Sequence, residues 1–345
     1  MSIWDSADHP SPTLARGIRV GVFGAGRMGT RHARVIASTG AVVSAVCDRS
    51  REAAERLAGI VGATLATTSP EEFFEQKLDG VVIATPPSVR VPAILDACEH
   101  RIHLFIEKPS VLTLSDGRRC MEQIEKAGIL AGVGYKFRYA PVFERMKYML
   151  SEHEIHAIRS LGSESYYVTY YMPMWKLDKQ QSGGAIAEQS SHLLDLARYL
   201  LGNTKPVRAM AVGAKRMALE RTDCDVENSH QILYELEPQT FGTHTSHCGT
   251  VGYSVEMELI GAHLRVRNFG GQEIVGYRGE KAFREESPRT NALGVGVVGA
   301  WLRAIETGDP SLIRAPFSES LHTVALCEAA ERSFRSGRFE MAQSP

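Results

Sequence analysis

The sequence predicts an α/β protein of two domains, a doubly wound parallel sheet followed by a domain built on an antiparallel sheet. Residues 18–135 alternate short runs rich in Val, Ile and Ala with helix-like segments, as parallel sheets covered by helices on both faces do. Further along, extended runs follow one another closely with short turns, which is typical of antiparallel pairing. The length of 345 residues is enough for two sizeable cores.

The predicted first domain contains five strands with helices between them. The strand candidates are short apolar runs at 18–23, 41–47, 80–84, 103–106 and 129–134. One helix starts at Ser69-Pro70-Glu71-Glu72, which combines an N-cap serine, a proline at the first helical position and a capping-box glutamate. Another starts near Thr113 and ends around Gly128. This alternation predicts a parallel sheet between two layers of helices.

After Gly134 the pattern changes. Helix-like segments are predicted at 140–151, 184–201, 291–306 and 318–335. Gly202 is the natural stop of the second of these. Extended segments are predicted at 158–171, 206–213, 229–236, 240–247, 253–260, 263–267 and 272–277. Their close spacing predicts one antiparallel sheet.

A glycine-rich turn follows the first predicted strand. The stretch Val20–Gly29 is an apolar run that ends in G-x-G-x-x-G and passes directly into a helix-like segment. Such a turn brings backbone N–H groups to a pyrophosphate at a helix N-terminus, where the dipole favours negative charge. Asp48 ends the second apolar run at about the expected spacing of ~20 residues, where a carboxylate accepts hydrogen bonds from a ribose. The alternative is a tight turn beside an unrelated surface aspartate, but the strand–turn–helix context favours a nicotinamide dinucleotide site.

Asp48 and Arg49 bear on which nicotinamide cofactor binds. The carboxylate of Asp48 favours NAD, because it would repel the 2′-phosphate of NADP, whereas Arg49 could pair with that phosphate. The sequence therefore favours NAD and leaves NADP as an alternative cofactor. The predicted division of the chain is a flexible tail at 1–17, a Rossmann dinucleotide-binding domain at 18–136 and a C-terminal domain at 137–345.

The composition indicates which kinds of binding partner and which cellular compartment fit this protein. The formal net charge of −1 gives no electrostatic reason to expect nucleic acid or an anionic membrane. No apolar stretch approaches the length of a membrane span, and residues 1–17 lack the apolar core of a signal peptide. The six cysteines show no C-x-x-C spacing, which favours a reduced cytoplasmic setting over disulfides or a structural zinc site.

Two loops follow buried strands, at the edge where doubly wound sheets bind ligands. Ala84-Thr85-Pro86-Pro87 forms a rigid loop suited to lining a nicotinamide pocket, and a plain strand-to-helix turn explains it equally well. Phe105-Ile106-Glu107-Lys108-Pro109 places a lysine just past a strand. Such a lysine can position a substrate hydroxyl or relay a proton, although taken alone it fits a solvated surface residue better.

The segment Ser182–Asp195 predicts a helix with an acid–base pair. Glu188 and His192 are four residues apart and so share a helix face, and Asp195 lies near the same stripe. A carboxylate beside an imidazole can hold its tautomer and raise its basicity, as a general base requires. Several leucines give this helix a large apolar face, so a structural histidine is an equal alternative.

His244, His247 and Cys248 are metal ligands by residue type. In a strand, however, residues three apart point to opposite faces of the sheet. We therefore predict no metal site here and interpret these residues as parts of the sheet.

These motifs, in this order, resemble the Gfo/Idh/MocA oxidoreductases, a family named after glucose–fructose oxidoreductase, inositol dehydrogenase and a rhizopine-catabolism protein. The resemblance covers about residues 18–340 and rests on the glycine turn, the Thr-Pro-Pro and Glu-Lys-Pro loops, the Gly183–Asp195 block and Glu328–Ser333. It implies a C-terminal domain for substrate binding with a large, mostly antiparallel sheet, one face of which forms a homodimer or homotetramer interface. It also implies an NAD(P)-dependent enzyme that interconverts a secondary alcohol and a ketone on a sugar, an inositol or a related polyhydroxylated ring.

The resemblance also assigns residues. Lys108 becomes the active-site lysine, which stabilises charge on oxygen, and His192 the acid/base, which accepts the hydroxyl proton, while Glu188 stands where aspartate is usual. The predicted cofactor contacts are Gly24, Gly26, Arg27, Met28, Gly29, Asp48, Arg49, Thr85, Pro86, Pro87, Glu107 and Lys108. The predicted substrate contacts are Lys136, Arg138, Trp175, Lys176 and Asp195.

Three residues depart from the family pattern, and they bear on the substrate more than on the fold or the cofactor. Glu188 is longer than the usual aspartate, Ser190 replaces a usual glycine, and Arg90 stands where a histidine often follows the Thr-Pro-Pro loop. The aromatic stretch Tyr166–Lys176 suits stacking on a sugar ring. Sheet packing or a subunit interface is the favoured interpretation for all of it except Trp175 and Lys176.

Two other functions stay open at this point. A regulatory relative could bind a dinucleotide without turnover, but retention of Lys108 and His192 counts against it. A dehydrogenase of a non-sugar substrate, such as an aromatic diol or a tetrapyrrole, would need a strongly apolar pocket. Nearby charged residues favour a hydroxyl-rich ligand instead, namely Lys136, Arg138, Lys176 and Glu188.

Overall fold

The computed structural model describes residues 17–163, 174–215, 224–248, 253–269, 272–287 and 293–345. Most of the predicted tail thus lies outside the described residues. Within these ranges the chain forms two compact units, each with its own sheet. No helix in the described ranges combines the length and apolar character that crossing a bilayer requires.

The sheet of the first unit is parallel, as predicted. Its described strands are β1 (Arg19–Phe23), β2 (Val42–Cys47), β3 (Leu65–Thr67), β4 (Gly80–Ile83), β5 (His103–Ile106) and β6 (Ala131–Val133). Their order is β3-β2-β1-β4-β5-β6, and every neighbouring pair is parallel. The strand order reverses between β1 and β4, which is the switch point where doubly wound sheets bind ligands. The sequence did not predict β3, whose three residues lie beside polar residues, whereas the equally short β6 lies within a longer apolar run at 129–134.

Five helices of the N-terminal part accompany this sheet in the described chain. They are α1 (Arg27–Ser38), α2 (Arg51–Val61), α3 (Pro70–Phe74), α4 (Arg90–Glu99) and α5 (Leu114–Ala127). The start of α3 is as predicted, because the Glu72 N–H donates to the Ser69 hydroxyl at 3.1 Å. Gly128 follows α5 with a φ of +66°, the left-handed conformation in which glycine commonly ends a helix.

The sheet of the second unit has nine strands in the described ranges. They are β7 (Ile155–Ser163), β8 (Pro206–Ala214), β9 (Ser229–Leu236), β10 (Thr240–His247), β11 (Ser254–Gly261), β12 (Leu264–Phe269), β13 (Glu273–Arg278), β14 (Lys281–Glu286) and β15 (Glu340–Met341). Their order is β14-β13-β12-β11-β7-β10-β9-β8-β15. Pairing is antiparallel except between β7 and β10, so the prediction of a mostly antiparallel sheet is confirmed. Prediction missed β14 and β15, since charged residues dominate the first and the second is only two residues long.

The remaining helices are α6 (Pro141–Leu150), α7 (Lys179–Ser182), α8 (Ser191–Leu200), α9 (Leu293–Thr307) and α10 (Phe317–Ser336). The sheet strands alternate buried and exposed residues, as in β9, where His230, Ile232, Tyr234 and Leu236 are buried. α8 packs on β7 and β11, and α6 on β12 and β13. One face of this sheet is therefore covered by helices.

The division between the units differs from the single predicted boundary after residue 136. Residues 293–318, which we predicted to be part of the C-terminal domain, belong to the first unit. Trp301 and Leu302 of α9 are buried in one apolar cluster with Val20 of β1. The sequence pattern predicted this helix but not its partner, because an apolar face indicates burial without specifying which sheet covers it.

Candidate active site

The glycine turn Gly24–Gly29 connects β1 to α1 in a tightly packed conformation. Gly24 has a φ of +104°, and a Cβ atom there would lie 2.8 Å from the Thr85 nitrogen. A Cβ atom at Gly29 would lie 1.8 Å from the Gly24 oxygen. Leaving aside its chain neighbours Ala25 and Arg27, a Cβ atom at Gly26, the N-cap of α1, would meet no described heavy atom within 4 Å. The turn thus leaves open space at a helix N-terminus, which fits the pyrophosphate of a dinucleotide.

The first turn of α1 carries the other two predicted residues of this motif. Arg27 is exposed and Met28 is half-buried. Their contacts with a cofactor stay predictions.

Asp48 directly follows β2 and connects the glycine turn to it. Its Oδ2 accepts the Ala25 N–H at 2.7 Å, and its Oδ1 accepts the Ser50 N–H at 2.9 Å. A carboxylate offers about four acceptor positions, and this one is half-buried, so it retains capacity for ribose hydroxyls. Arg49 is exposed beside it. The arrangement fits the predicted adenosine site and does not discriminate between NAD and NADP.

The two predicted loops lie at the same sheet edge as the glycine turn. Thr85-Pro86-Pro87 follows β4 and Lys108 follows β5, and both strands run parallel to β1. The carboxyl ends of parallel neighbours meet at one edge. Lys108 is half-buried there. The structure therefore brings the predicted cofactor residues of the first unit together.

Glu107 has a structural partner that sequence analysis did not anticipate. Its Oε1 lies 2.6 Å from the His32 Nε2 of α1, and its Oε2 accepts the Lys108 N–H at 3.1 Å. Burial alone would raise the pKa of the Glu107 carboxyl, but the hydrogen bond and charge of His32, with the charges of Lys108 and Arg90, lower it from 4.5 to about 2. Glu107 thus links the helix of the glycine turn to the loop of Lys108, and its predicted contact with the cofactor stays a prediction.

Arg90, at the start of α4, binds both loops at once. Its Nε and Nη2 donate to the Thr85 oxygen at 2.9 and 2.6 Å, and its Nη1 donates to the carbonyl oxygens of Glu107 and Pro109. The side chain is 2% exposed. In the sequence, Arg90 stands out only as a departure from the family pattern, because partners 5 to 19 residues away carry no periodic signal.

In the second unit, the helix predicted at 184–201 has two different parts. Residues Ile186–Ser190 form a π-helical turn, in which the Ser191 N–H donates to the Ile186 oxygen five residues back, and α8 follows. Such turns are rare and frequently mark functional sites. Because the turn breaks the 3.6-residue period, the spacing of Glu188 and His192 does not by itself put them on one face. Their predicted pairing stays a prediction.

Glu188 instead binds a lysine that the sequence places 12 positions earlier. The Lys176 ammonium donates to the Glu188 Oε1 at 2.5 Å, and both side chains are buried. The same ammonium lies 5.6 Å from the centre of the Trp175 ring. Residues 166–173 of the predicted aromatic stretch lie outside the described residues. Three predicted residues, one acidic, one basic and one aromatic, therefore form one cluster that the sequence did not connect.

Other predicted substrate residues have structural contacts. The Thr323 hydroxyl of α10 donates to the Asp195 Oδ1 at 3.1 Å, and Asp195 is 1% exposed. Arg138 is fully buried, and its Nη1 donates to the Arg314 oxygen at 2.6 Å. These positions favour structural roles for Asp195 and Arg138. Lys136 is half-buried, with its ammonium 5.3 Å from the Phe137 ring centre.

His244 of the antiparallel sheet contacts two serines of the second unit. The His244 Nδ1 and Nε2 lie within hydrogen-bonding distance of the Ser160 and Ser190 hydroxyls. Among the described residues, no group of three or more His, Cys, Asp or Glu side chains is arranged to hold a metal ion.

Comparison with known proteins gives the class of this chain. Residues 18–135 match the model of an oxidoreductase family with an NAD-binding Rossmann fold, and residues 143–267 match the Gfo/Idh/MocA C-terminal domain. The chain belongs to the Gfo/Idh/MocA family of oxidoreductases. The predictions of family, of fold class and of a nicotinamide dinucleotide as the cofactor are thereby confirmed.

The individual relatives and structures described next are 16–30% identical to this chain over the aligned residues. Inositol 2-dehydrogenase of Rhizobium meliloti is 26% identical over 93% of this chain and 98% of its own length. The NAD⁺-dependent scyllo-inositol 2-dehydrogenase of Bacillus subtilis is 30% identical, but the match spans 54% of each protein. Among solved structures, GenD2 from gentamicin A biosynthesis in complex with NAD superimposes with a TM-score of 0.82 at 22% identity, over 98% and 99% of the two chains. Levoglucosan dehydrogenase in complex with NADH superimposes with a TM-score of 0.85 at 16% sequence identity. The match covers 96% of this chain and 100% of that chain.

Proposed function

We propose that this protein is an NAD-dependent dehydrogenase that interconverts a secondary alcohol and a ketone on a cyclitol or a sugar. The observation that carries the proposal is the glycine turn, open at the N-cap of α1, with Lys108 at the same sheet edge. Support for the substrate class comes from relatives named as inositol dehydrogenases. The buried Lys176–Glu188 pair adds charged hydrogen-bonding groups, which suit a hydroxyl-rich ligand better than an apolar one.

We assign the following chemistry to the residues. A bound nicotinamide supplies the hydride acceptor or donor. His192, at the second position of α8, accepts the hydroxyl proton during oxidation and returns it during reduction. Lys108 donates a hydrogen bond to the substrate oxygen and stabilises the charge that develops there. Glu188, with its carboxylate held by Lys176, accepts a hydrogen bond from a neighbouring hydroxyl and so orients the ring.

Nicotinamide absorbance at 340 nm tests this proposal. Purified protein is incubated with NAD or NADP and with myo-inositol, scyllo-inositol, sugars and sugar acids, while NADH or NADPH with keto-sugars runs in parallel. We expect turnover with at least one polyol. If no substrate of the panel changes the nicotinamide absorbance, although NADH fluorescence confirms cofactor binding, the proposal would be contradicted. That result would favour a dinucleotide-binding regulator or a non-sugar substrate.

The preference for NAD should depend on Asp48. Asp48→Asn keeps an acceptor for the Ala25 N–H but removes the negative charge that repels a 2′-phosphate. We expect the ratio of kcat/KM for NADP to that for NAD to rise at least about tenfold, which corresponds to about 1.4 kcal/mol of removed charge repulsion. Asp79→Asn is the matched control, because the Asp79 carboxylate also accepts a backbone N–H, that of Arg19 at the start of β1. An unchanged ratio in Asp48→Asn would exclude Asp48 from cofactor discrimination.

We further propose that the open face of the nine-stranded sheet pairs with a second copy of the chain. Met210, Leu233 and Thr243 lie in register across β8, β9 and β10, and Leu233 and Phe241 are 40% and 49% exposed. Continuing across the sheet, Thr243 aligns with Arg159 of β7, which is paired with Glu258 of β11. Exposed apolar residues on one face of a sheet suit a two-fold interface, in which the same patch lies on both chains.

Phe241→Arg should therefore dissociate the oligomer. A two-fold interface would bury the new charge twice without a partner, and an unpaired buried charge costs about 3–5 kcal/mol. We expect a rise of at least ~100-fold in the dissociation constant, measured by analytical ultracentrifugation. Ile60→Arg on α2 is the control, because Ile60 is also 49% exposed but lies in the first unit. Equal effects of the two variants, or a monomeric wild type, would refute this assignment.

A further inference from the structure

A chain of buried polar side chains connects the π-helical turn to the antiparallel sheet. Ser190 is the last residue of the turn. Its hydroxyl lies 2.6 Å from the His230 Nε2 and 2.8 Å from the His244 Nε2. The His244 Nδ1 lies 2.9 Å from the Ser160 hydroxyl. His230, His244 and Ser160 belong to β9, β10 and β7, so one hydroxyl of the turn is anchored to neighbouring strands.

The four side chains form a directional network. A serine hydroxyl has one hydrogen, so Ser190 can donate to one imidazole and must accept from the other. In one arrangement His230 donates to Ser190, Ser190 donates to His244, and the His244 Nδ1–H donates to Ser160. The reverse arrangement runs from Ser160 through His244 and Ser190 to His230. In both arrangements Ser190 is the central member, and each imidazole needs only one proton.

Burial keeps these imidazoles neutral. Ser190, His230 and His244 are each at most 3% exposed. Burial lowers the pKa of His230 to about 4, against an opposing effect of Glu227 and with a smaller lowering by Lys179. Burial, with a contribution from His230, lowers the pKa of His244 to about 3. The network therefore keeps one charge state at neutral pH, as a fixed anchor must.

The anchor lies between the two residues to which we assign proton transfer and substrate orientation. Ser190 is two positions from Glu188 and two from His192. An i→i+5 turn holds one more residue than an α-helical turn, so relaxation to an α-helix would rotate Glu188 by about 100° relative to α8. Two glycines with positive φ, Gly183 at +77° and Gly184 at +79°, precede the turn. Contacts at Ser190 therefore help to fix the direction of Glu188 relative to His192.

We propose that Ser190, His230 and His244 are positioning residues. They hold the π-helical turn so that the Glu188 and His192 side chains are oriented to contact the substrate. This inference rests on the proposed dehydrogenase function. It adds two sheet histidines and a serine to the residues on which the reaction depends, although none of the three touches the reacting atoms.

Ser190→Ala tests the proposal, with Ser191→Ala as the matched control. Ser191 is equally buried, but its hydroxyl donates to the Ala187 oxygen of the π-helical turn at 2.6 Å and not to the sheet. With the inositol isomer of highest turnover, we expect kcat per NADH-binding site to fall about 10- to 100-fold in Ser190→Ala, the scale of a small misplacement of reacting groups. The KM for NAD should stay unchanged, and the primary deuterium isotope effect on kcat should increase. Ser191→Ala should change kcat less than about twofold.

Normalising to NADH-binding sites separates positioning from loss of folded protein, which would lower the number of sites and leave the isotope effect unchanged. Ser190→Thr, which keeps the hydroxyl, should restore part of the lost kcat. Equal kcat in Ser190→Ala and wild type would overturn the proposal.

Nitrogen-15 NMR of labelled histidines examines the network without turnover. We expect His230 and His244, assigned through His230→Gln and His244→Gln, to show neutral imidazoles at pH 6 and pH 7 and to shift in Ser190→Ala. Protonated imidazoles at pH 6, or signals that do not respond to Ser190→Ala, would overturn the network itself. A wild type that turns over no polyol while the NMR result holds would overturn the proposed function and the positioning role together, and leave only the hydrogen-bonded network.

Discussion

Replacing His192 with alanine should lower kcat at least ~100-fold, the usual scale for losing acid–base help. Lys108→Ala should have an effect of the same size, because a developing oxygen charge would lose its hydrogen-bond donor. NAD should still bind to both variants, since the glycine turn and Asp48 lie on other elements. The measurement combines steady-state kinetics with NADH fluorescence titration.

Controls separate chemistry from folding in these variants. His192 is 9% exposed, so His192→Gln, which preserves most of the volume, should be as inactive as His192→Ala. His156→Ala and Lys77→Ala replace exposed residues of the same types and should keep nearly full activity. Near-normal turnover in both His192→Ala and Lys108→Ala would remove these residues from the mechanism.

The second large effect concerns stability. Glu107→Gln should destabilise the first unit by about 3 kcal/mol at pH 7, because it replaces a buried carboxylate, which accepts hydrogen bonds from His32 and from the Lys108 N–H, by a neutral amide. The same size follows from the pKa of Glu107, which lies at about 2 instead of 4.5, since each pKa unit corresponds to about 1.4 kcal/mol. The measurement is the free energy of unfolding of the first unit, obtained from urea denaturation of wild type and variant.

The pH dependence of this effect has a definite sign. A carboxyl whose pKa is lowered by folding stabilises the protein fully above its unfolded value and loses that contribution as the pH falls towards its folded value. The stability difference between wild type and Glu107→Gln should therefore be largest above pH 4.5 and shrink as the pH falls towards 2. Glu55→Gln, at an exposed position of α2, should cost less than about 0.5 kcal/mol at any pH. A difference that does not depend on pH would contradict the lowered pKa of Glu107.

Much of the fold could be predicted from local patterns. The five predicted strands of the parallel sheet lie within two residues of β1, β2, β4, β5 and β6, because strands buried on both faces form continuous apolar runs. Serine and glycine signals located the start of α3 and the end of α5. The hydrophobic pattern did not predict elements that are short and lie beside polar residues, as β3 does, or that are rich in charged residues, as β14 is. It also failed for the partner of α9, which depends on contacts distant in sequence.

The candidate site divides in the same way. Spacing was enough for the glycine turn and for the order of Asp48, Thr85 and Lys108, because each follows a strand of one parallel sheet. Spacing did not predict that Glu188 binds Lys176, because the π-helical turn interrupts the helical period.

By itself, the sequence determined the class of the protein, its cofactor turn and the residues available for chemistry, since these depend on backbone conformation and order along the chain. Only the tertiary structure decided which buried polar groups pair. Arg90 binds two loops, His32 holds Glu107, and Ser190 joins His230 and His244. The physical reason is that a buried polar group must find a hydrogen-bond partner wherever packing brings one within about 3 Å. That partner is set by the approach of distant segments, which leaves no periodic trace in the sequence.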